Sequence, residues 1–439
     1  MKQYYIRIVL AIIICLVGKR TFAYDIAVPN KEGQTLYYNY INDGKELELA
    51  YEIKNSFANY RYEAIIIPEE VAYMNRTRKV TRIGDYAFLY SGIKKVTLPK
   101  TIKSIGKYAF YECNQLQELI IPDNVETLGK EVFSGCFLNI FVVGKGLKSV
   151  EYLASGASLI AEKVIVKDFN AFLNIHYDGK NFFYEGRISK SHSLLYSDEN
   201  TMITNLVLPQ GITKIGESLQ CCQSLISVTI PESVKEIDKL AFRGCHKLKS
   251  VHMSNNVTVI RKAAFAECPL NDIIWSEKLD SIDNRAFEGC HLKDVVLPNR
   301  VKFIGTDAFR YCKMHSIIIP PNTKDIRSGA FDCDSLLTVV SKIKSPEEIP
   351  VKNVFNKNTL MNATLYVPVG TMAKYKSTEG WKDFVFIEEG IPSVIEKTKA
   401  NDPIKKKYTN LQGHHSSRPH KGINIEVNSN GTTKKLFVK

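Results

Sequence analysis

Apolar and polar positions along this chain alternate in short bursts rather than in long helical stretches. Segments such as Ser227-Val228-Thr229-Ile230 and Asp294-Val295-Val296-Leu297 carry the period-two pattern of a strand. Each burst ends at a position that is often proline: Pro99, Pro122, Pro231, Pro298 and Pro320, with Pro68 in an expanded first coil. Proline has no N–H for the next ladder bond, so the strand stops there. Eleven residues further on stands an aromatic or equivalent residue: Phe88, Phe110 and Phe133 in one block, then Leu219, Phe242, Phe265, Phe287, Phe309 and Phe331 in a second, spaced by 22 or 23. Alanine usually precedes it (Ala87, Ala109, Ala241, Ala264, Ala286, Ala308, Ala330), and cysteine usually follows three places on (Cys113, Cys136, Cys222, Cys245, Cys268, Cys290, Cys312).

A fixed period of this length means stacked coils, because one coil cannot bury its apolar side alone. The pattern predicts one strand per coil, with successive strands aligned in a parallel sheet. From Ile67 to Val367 it gives about 13 coils, on the order of 60 Å of stacked strands at the usual spacing of about 4.8 Å. Phe88, Phe110, Phe133, Phe242, Phe265, Phe287, Phe309 and Phe331 are the expected core, stacked inside, with alanine where the chain turns too tightly for bulk. The cysteine column is expected to be buried and free: in-register stacking points neighbouring Cβ vectors the same way, which disfavours a disulfide. Whether Cys221 or Cys222 forms one stays open.

These residues resemble the BspA-like leucine-rich repeats of bacterial surface proteins. The resemblance implies a leucine-rich-repeat solenoid, a right-handed coil with a parallel β-sheet and β-rich caps at both ends. In that family the corner position holds Asn or Cys to meet backbone groups of the next coil. On this reading, residues 24–64 form an N-terminal β cap, with Tyr24-Asp25-Ile26 and Leu36-Tyr37-Tyr38 in its hairpin. Residues 65–362 are repeats, irregular over 137–205, with Phe172-Leu173-Asn174-Ile175 and Leu194-Leu195-Tyr196 in a hairpin-like excursion. Residues 363–390, from Ala363 through Gly380-Trp381-Lys382-Asp383-Phe384, resemble the family's C-terminal cap. Residues 391–439 are a linker and a small basic β tail similar to secretion and sorting tails, with Gly422–Val427 and Lys435–Val438 as hairpin strands.

Charge changes the picture only once it is divided along the chain. The net charge is +13, but residues 1–23 contribute +4 and 391–439 contribute +7, which leaves +2 for 24–390. A nearly neutral body lacks the clustered basic face that a phosphate backbone requires, so nucleic acid is excluded as a partner. Lys2, Arg7, the apolar run Ile8–Val17 and the small residues near Ala23 read as a cleaved export signal over 1–23. No later segment is long and apolar enough to span a bilayer. The expected location is therefore secreted or cell surface, with no transmembrane segment in the mature chain.

Catalytic signatures are missing: there is no H-E-x-x-H, G-x-S-x-G, phosphate-loop motif or C-x-x-C. The chain is therefore read as non-enzymatic, with no cofactor and no metal. His246 and His291 lie two coils apart, roughly 10 Å at the strand spacing, too far to share an ion. His414, His415 and His420 sit in a Ser/Pro-rich stretch that reads as loop. Binding is the stronger expectation. The residue two before each proline position should point outward, a column of Ile66, Thr97, Ile120, Val142, Ile165, Val207, Thr229, His252, Ile274, Val296 and Ile318. Most of these are apolar, and an apolar stripe on a sheet face marks an interaction surface, although β-branched residues also favour strands for their own sake. A second outward column, Lys95, Glu118, Lys163, Asn205, Ser227, Ser250, Asp272, Asp294 and Ser316, is polar and varied. The family resemblance implies a protein ligand, a host matrix or cell-surface protein, and hence adhesion. The alternative is a glycan-binding accessory of a surface nutrient system, which exposed Trp or Tyr platforms would favour. Trp275 is expected to point inward, and Trp381 to lie in the cap.

Overall fold

The structure is a computed structural model that describes residues 24–51, 60–151, 160–178 and 194–390, together with the backbone of four strands between 407 and 438. The export signal, part of the 168–200 excursion, and His414 and His420 lie outside the described residues. The chain divides into two compact units, the first made essentially of residues up to 162 and the second of those from 163 onward.

Both units are parallel-strand coil stacks with little helix, the leucine-rich-repeat solenoid that the period implies. In the first, strand Ala64–Ile66 pairs in parallel with Lys95–Thr97, and Glu118–Ile120 with Phe137–Val143. In the second, Asn205–Val207, Ser227–Thr229, Ser250–His252 and Asp272–Ile274 form one in-register parallel sheet. A second such sheet runs from Asp294–Val296 through Ser316–Ile319 and Thr338–Ser341 to Thr364–Val367. The two units together hold about 13 coils.

One strand per coil proves too few. A second strand of only two residues recurs on another side of each coil: Ser104–Ile105, Thr127–Leu128 and Ser149–Val150 in the first unit, then Lys214–Ile215, Glu236–Ile237, Val259–Ile260, Ser281–Ile282, Phe303–Ile304 and Asp325–Ile326 in the second. Each pairs in parallel with its counterparts. Two residues are too few to show an alternating pattern, yet the isoleucine or leucine at the second place is fully buried in nearly every coil.

Between the two strands the chain turns through the aromatic corner. All eight predicted core phenylalanines are buried. Phe242, Phe265, Phe287 and Phe309 stack at successive centroid distances of 5.3 Å with ring planes within 10° of parallel. Trp275, half-buried, meets Phe287 edge-on at 5.2 Å. In the first unit the stack begins outside the repeats, with Tyr60 packed on Phe88 at 5.2 Å. The residue before each phenylalanine, alanine except at Val132, follows a residue held at positive φ: Tyr86, Tyr108, Glu131, Leu240, Ala263, Arg285 and Asp307, with Gly329 in the same place. A second left-handed residue follows each phenylalanine but Phe331 by two, at Tyr90, Glu112, Gly135, Gly244, Glu267, Gly289 and Tyr311. Such a conformation costs a non-glycine residue about 1–2 kcal/mol, so the corner stores strain that the buried ring offsets.

The cysteines answer the backbone accounting of this corner. All the column thiols but Cys222, whose Sγ lies 3.5 Å from Ser224 Oγ, donate to the carbonyl of the previous coil's aromatic position: Cys113 to Phe88 at 3.0 Å, Cys136 to Phe110 at 3.0 Å, Cys245 to Leu219 at 3.2 Å, Cys268 to Phe242 at 3.0 Å, Cys290 to Phe265 at 3.2 Å and Cys312 to Phe287 at 3.0 Å. Cys333, one residue out of step with the sequence pattern, does the same to Phe309 at 2.9 Å. All nine described cysteines, Cys221 and Cys222 included, are free thiols.

At the first unit's start, Ile26–Pro29, Thr35–Ile41 and Glu46–Leu49 form an antiparallel sheet whose last strand continues in parallel with Arg76–Ile83. Glu48 pairs there with Arg82. Lys103, 2.8 Å from Glu46, helps hold that carboxyl below its usual range. Within the excursion, Phe169–Leu173 is a short helix capped by the Asp168 carboxylate, and Leu194–Tyr196 pairs in parallel with Lys163–Ile165. Late in the second unit, buried Trp381 donates to the Ile349 carbonyl at 2.9 Å, and the Tyr375 hydroxyl donates to Ile343 at 2.8 Å. Gly380 (φ +82°) approaches Val351 so closely that a Cβ would stand 2.5 Å from its carbonyl group. The backbone of Gly422–Val427 pairs antiparallel with both Lys407–Asn410 and Thr433–Val438.

Candidate functional site

The outward strand column is only partly a surface. In the first unit Ile66 and Ile120 are 47% and 50% exposed, and in the second Val207 is 48% exposed. Thr229, His252, Ile274 and Val296 are half-buried. Val142, Ile165 and Ile318 are exposed by only 6%, 2% and 6%, and so cannot present a binding face. Each of these three is the middle of three consecutive buried residues, Phe141-Val142-Val143, Val164-Ile165-Val166 and Ile317-Ile318-Ile319, so both faces of those strands are covered. The continuous apolar stripe therefore resolves into two patches: Ile66, Thr97 and Ile120 in the first unit, and Val207, Thr229, His252 and Ile274 along the first sheet of the second.

The polar column beside it is partly spoken for. Ser227 Oγ donates to Asn205 at 2.6 Å, Ser250 to Asp272 at 3.2 Å, and Ser316 to Asp294 at 2.7 Å, each bond crossing from one coil to the next. These pairs leave exposed carboxylates at Asp272 and Asp294 and tie adjacent coils together.

Histidine chemistry is sparse. His246 shares a hydrogen bond with the Glu267 carbonyl at 3.0 Å. His291 is shifted below its ordinary value by partial burial and by Lys313 nearby. Among the described residues no group of three His, Cys, Asp or Glu side chains is placed to hold a metal ion. Six of the thiols are held in their protonated, poorly nucleophilic form: burial pushes Cys222 up to about 11 and Cys333 up to about 12, and raises Cys136, Cys245, Cys290 and Cys312 well above the usual thiol range.

One cluster escaped the sequence reading. Tyr86 and Tyr108 stack at 5.3 Å with planes 6° apart, Tyr108 meets Tyr111 edge-on at 5.5 Å, and Tyr111 meets Tyr90 edge-on at 5.7 Å. All four lie outside the core on the corners of two adjacent coils, and Tyr90 is 43% exposed. Its signature was present in the runs Asp85-Tyr86-Ala87-Phe88-Leu89-Tyr90 and Lys107-Tyr108-Ala109-Phe110-Tyr111, masked because they also read as the ordinary repeat.

A stack of coils with a buried aromatic spine, thiol-satisfied corners and an outward strand face defines a repeat protein of the interaction type. The family model for the BspA type leucine-rich-repeat region matches residues 53–160, 169–270, 195–291 and 258–375, in six copies. The chain belongs to that family. Its fold is similar to that of the pneumococcal vaccine antigen PcpA, with a TM-score of 0.51 at 19% identity over 84% of this chain and all of that one. A leucine-rich repeat protein from Bacteroides ovatus is 19% identical over the same shares, with a TM-score of 0.43. A leucine-rich cell surface protein from Faecalibacterium prausnitzii is 20% identical over 72% of this chain and 95% of its own, with a TM-score of 0.33. Among curated proteins, a search by sequence finds no match. Among the described residues no helix is long and apolar enough to cross a membrane.

Proposed function

We propose that this protein is an exported, surface-displayed adhesion module that binds a protein partner through its outward strand face, without catalysis. The observation that carries the reading is the exposure, close to half open, of Ile66 and Ile120 on a sheet of the first unit and of Val207 on a separate sheet of the second, each on a strand whose middle residue is buried on the other side. Apolar groups left on such a rigid face stabilise association by roughly 25 cal/mol per Å² buried, and a parallel sheet supplies them at little ordering cost. Membership of the BspA-type family favours a matrix or cell-surface protein as the partner class, and the basic segment 391–439 suits a sorting or attachment role.

Two measurements test this. The full chain carrying Ile66→Ser, Ile120→Ser, Val207→Ser and Ile274→Ser should lose at least about tenfold in affinity for immobilised fibronectin, laminin or collagen, the scale of a modest hot-spot loss, while melting as the parent does. Equal binding by parent and variant would remove the strand face from the reading. Deleting 397–439 should shift the product from the cell surface to the medium or the periplasm on fractionation. A deletion product displayed at the parental level would sink the sorting role.

A further inference from the structure

We propose that the gap between strands Asp272–Ile274 and Asp294–Val296 is a slot for an extended basic segment of a partner protein, held as an interposed strand. The slot does not depend on the strand-face reading, because it lies between two strands and not on the face of either.

Among the described residues of the second unit, from Asn205–Val207 to Phe386–Glu389, each long strand is paired with the next at every step but this one. The coils do not part on their other side. Val259–Ile260, Ser281–Ile282 and Phe303–Ile304 stay paired through the same turns, and Phe265, Phe287 and Phe309 keep their 5.3 Å stacking. The Asp272 N–H donates back to the Lys249 carbonyl at 3.0 Å, and the Met253 N–H donates to the Ile274 carbonyl at 2.9 Å. Asp272 and Ile274 therefore address the preceding strand, and strand alternation turns the N–H and C=O groups of Ile273 and Trp275 toward the gap. From the other side Asp294 and Val296 present theirs, because Lys293 and Leu297 bond to the following strand. The Cα atoms of the two strands lie mostly more than 8 Å apart. Ordinary neighbours stand about 4.8 Å apart, and an interposed strand needs about twice that.

Two features hold the gap open. On the inside, the last place of the strand carries Leu208, Ile230, Met253, Leu297 and Ile319 in the neighbouring coils, all buried, whereas here it carries Trp275, which is half-buried. An indole is too large for a place cut for leucine, and packing at interior density leaves it no room without parting the strands. Ile273 is half-buried as a result, where Val251 and Val295 are buried. On the outside, closing the ladder in register would set Asp272 opposite Asp294. The steps to either side pair Ser250 with Asp272 and Asp294 with Ser316, a hydroxyl against a carboxylate. Here two exposed carboxylates would meet, and like charges directly opposite destabilise a pair. The same features select the occupant. Two facing strand edges offer donors and acceptors in series, which another extended backbone matches. A residue interposed between Asp272 and Asp294 has a carboxylate on each side, which favours lysine or arginine. Lys293 precedes the strand, so acids hold the outward places of the ladder. The next residue of the occupant, pointing inward between Ile273 and Val295, is best a small aliphatic one.

The test is titration of the full chain with fluorescein-labelled, capped peptides of the pattern Thr-Lys-X-Thr-X-Thr, X being alanine, valine or leucine, combined with amide hydrogen exchange. At least one peptide should bind, and bound peptide should slow exchange at the amides of Ile273, Trp275 and Val296 by about tenfold or more. Glutamate in place of the lysine should weaken binding by about tenfold or more. Proline at both X positions should abolish it, since proline has no N–H to donate. Trp275→Leu with Asp272→Ser, residues that adjacent coils hold at these places, should close the ladder: the same amides become protected without peptide, and binding is lost. A chain with Ile66→Ser, Ile120→Ser and Val207→Ser, altered on the strand face but not at the slot, should take the peptide as the parent does. The proposal is overturned if no peptide binds, if the glutamate peptide binds equally well, if bound peptide leaves those amides unprotected, or if the Leu/Ser variant binds as the parent does. It is also overturned if the parent sediments as a dimer that the Leu/Ser variant does not form, because the slot is then filled by a second copy of this chain.

Discussion

Truncating Phe287 to alanine should be among the most damaging single changes, lowering stability by about 3–5 kcal/mol. Its side chain is fully buried and touches three rings: Phe265 and Phe309 at 5.3 Å on either face, and Trp275 edge-on at 5.2 Å. Removing it deletes apolar burial and leaves a cavity that the coils cannot close, because their spacing is fixed by two ladders of parallel strands. The ring–ring contacts add about 0.5–1.5 kcal/mol each beyond that burial. The corner strain at Arg285, two residues before Phe287, then has less to offset it. Stability in stacked coils is a sum of intrinsic and nearest-neighbour terms. The loss should therefore appear as a separate early transition in urea unfolding, confined to the coils around Phe287. A variant that melts within about 1 kcal/mol of the parent, the range of a typical tolerated core swap, would refute the aromatic spine as the main support. Tyr311→Ala, at a 59% exposed corner, serves as the control and should be nearly silent.

The same spine marks what the sequence could reveal. Phe, Ala and Cys recur because every coil repeats one solution, so periodicity located the core, while the resemblance to the family implied that the thiols meet backbone groups of the adjoining coil. Cys333 shows the limit: it stands two residues after Phe331 instead of three, yet its thiol reaches the Phe309 carbonyl as its neighbours reach theirs. The two-residue strands were hidden because Ser104-Ile105 or Asp325-Ile326 is shorter than the period needed to recognise it. Exposure was hidden for another reason. The outward direction of Val142, Ile165 and Ile318 follows from strand alternation, but whether something lies over them depends on residues distant in sequence. Ile66 and Ile318 are each flanked by isoleucines, Ile65-Ile66-Ile67 and Ile317-Ile318-Ile319, and only the first has an open face. The tyrosine corner went unread because Tyr-Ala-Phe satisfies the repeat and the extra rings look like fillers. Its distinctness lies in coincidence on adjacent coils, which becomes visible once Tyr86 and Tyr108 are seen to stack.

Alkaline conditions should destabilise the fold steeply, through the thiol column. Burial raises Cys222 from 9.0 to about 11 and Cys333 to about 12, and pushes Cys136, Cys245, Cys290 and Cys312 in the same direction. A thiol whose folded value lies above its unfolded one binds its proton more tightly in the folded chain. Its contribution is complete below pH 9 and is lost as pH rises through 11 to 12. Carried to completion, the loss is about 3 kcal/mol for Cys222 and about 4 kcal/mol for Cys333, at 1.36 kcal/mol per pH unit. By pH 10 each such thiol should already have withdrawn about 1 kcal/mol. Because the thiolate cannot donate, ionisation of Cys136, Cys245, Cys290, Cys312 or Cys333 also removes the hydrogen bond to the preceding coil's carbonyl, so the damage falls on the coil-to-coil interface. The measurable result is a urea midpoint that is flat from pH 7 to 8.5 and falls sharply by pH 10, under a phosphine reductant that keeps the thiols free. Replacing Cys245 and Cys290 with serine should shallow that slope, because a hydroxyl can still donate to Leu219 and Phe265 but does not titrate in this range. A parent midpoint unchanged at pH 10, or serine variants with the parent's slope, would show that the thiols are not the groups that couple this fold to pH.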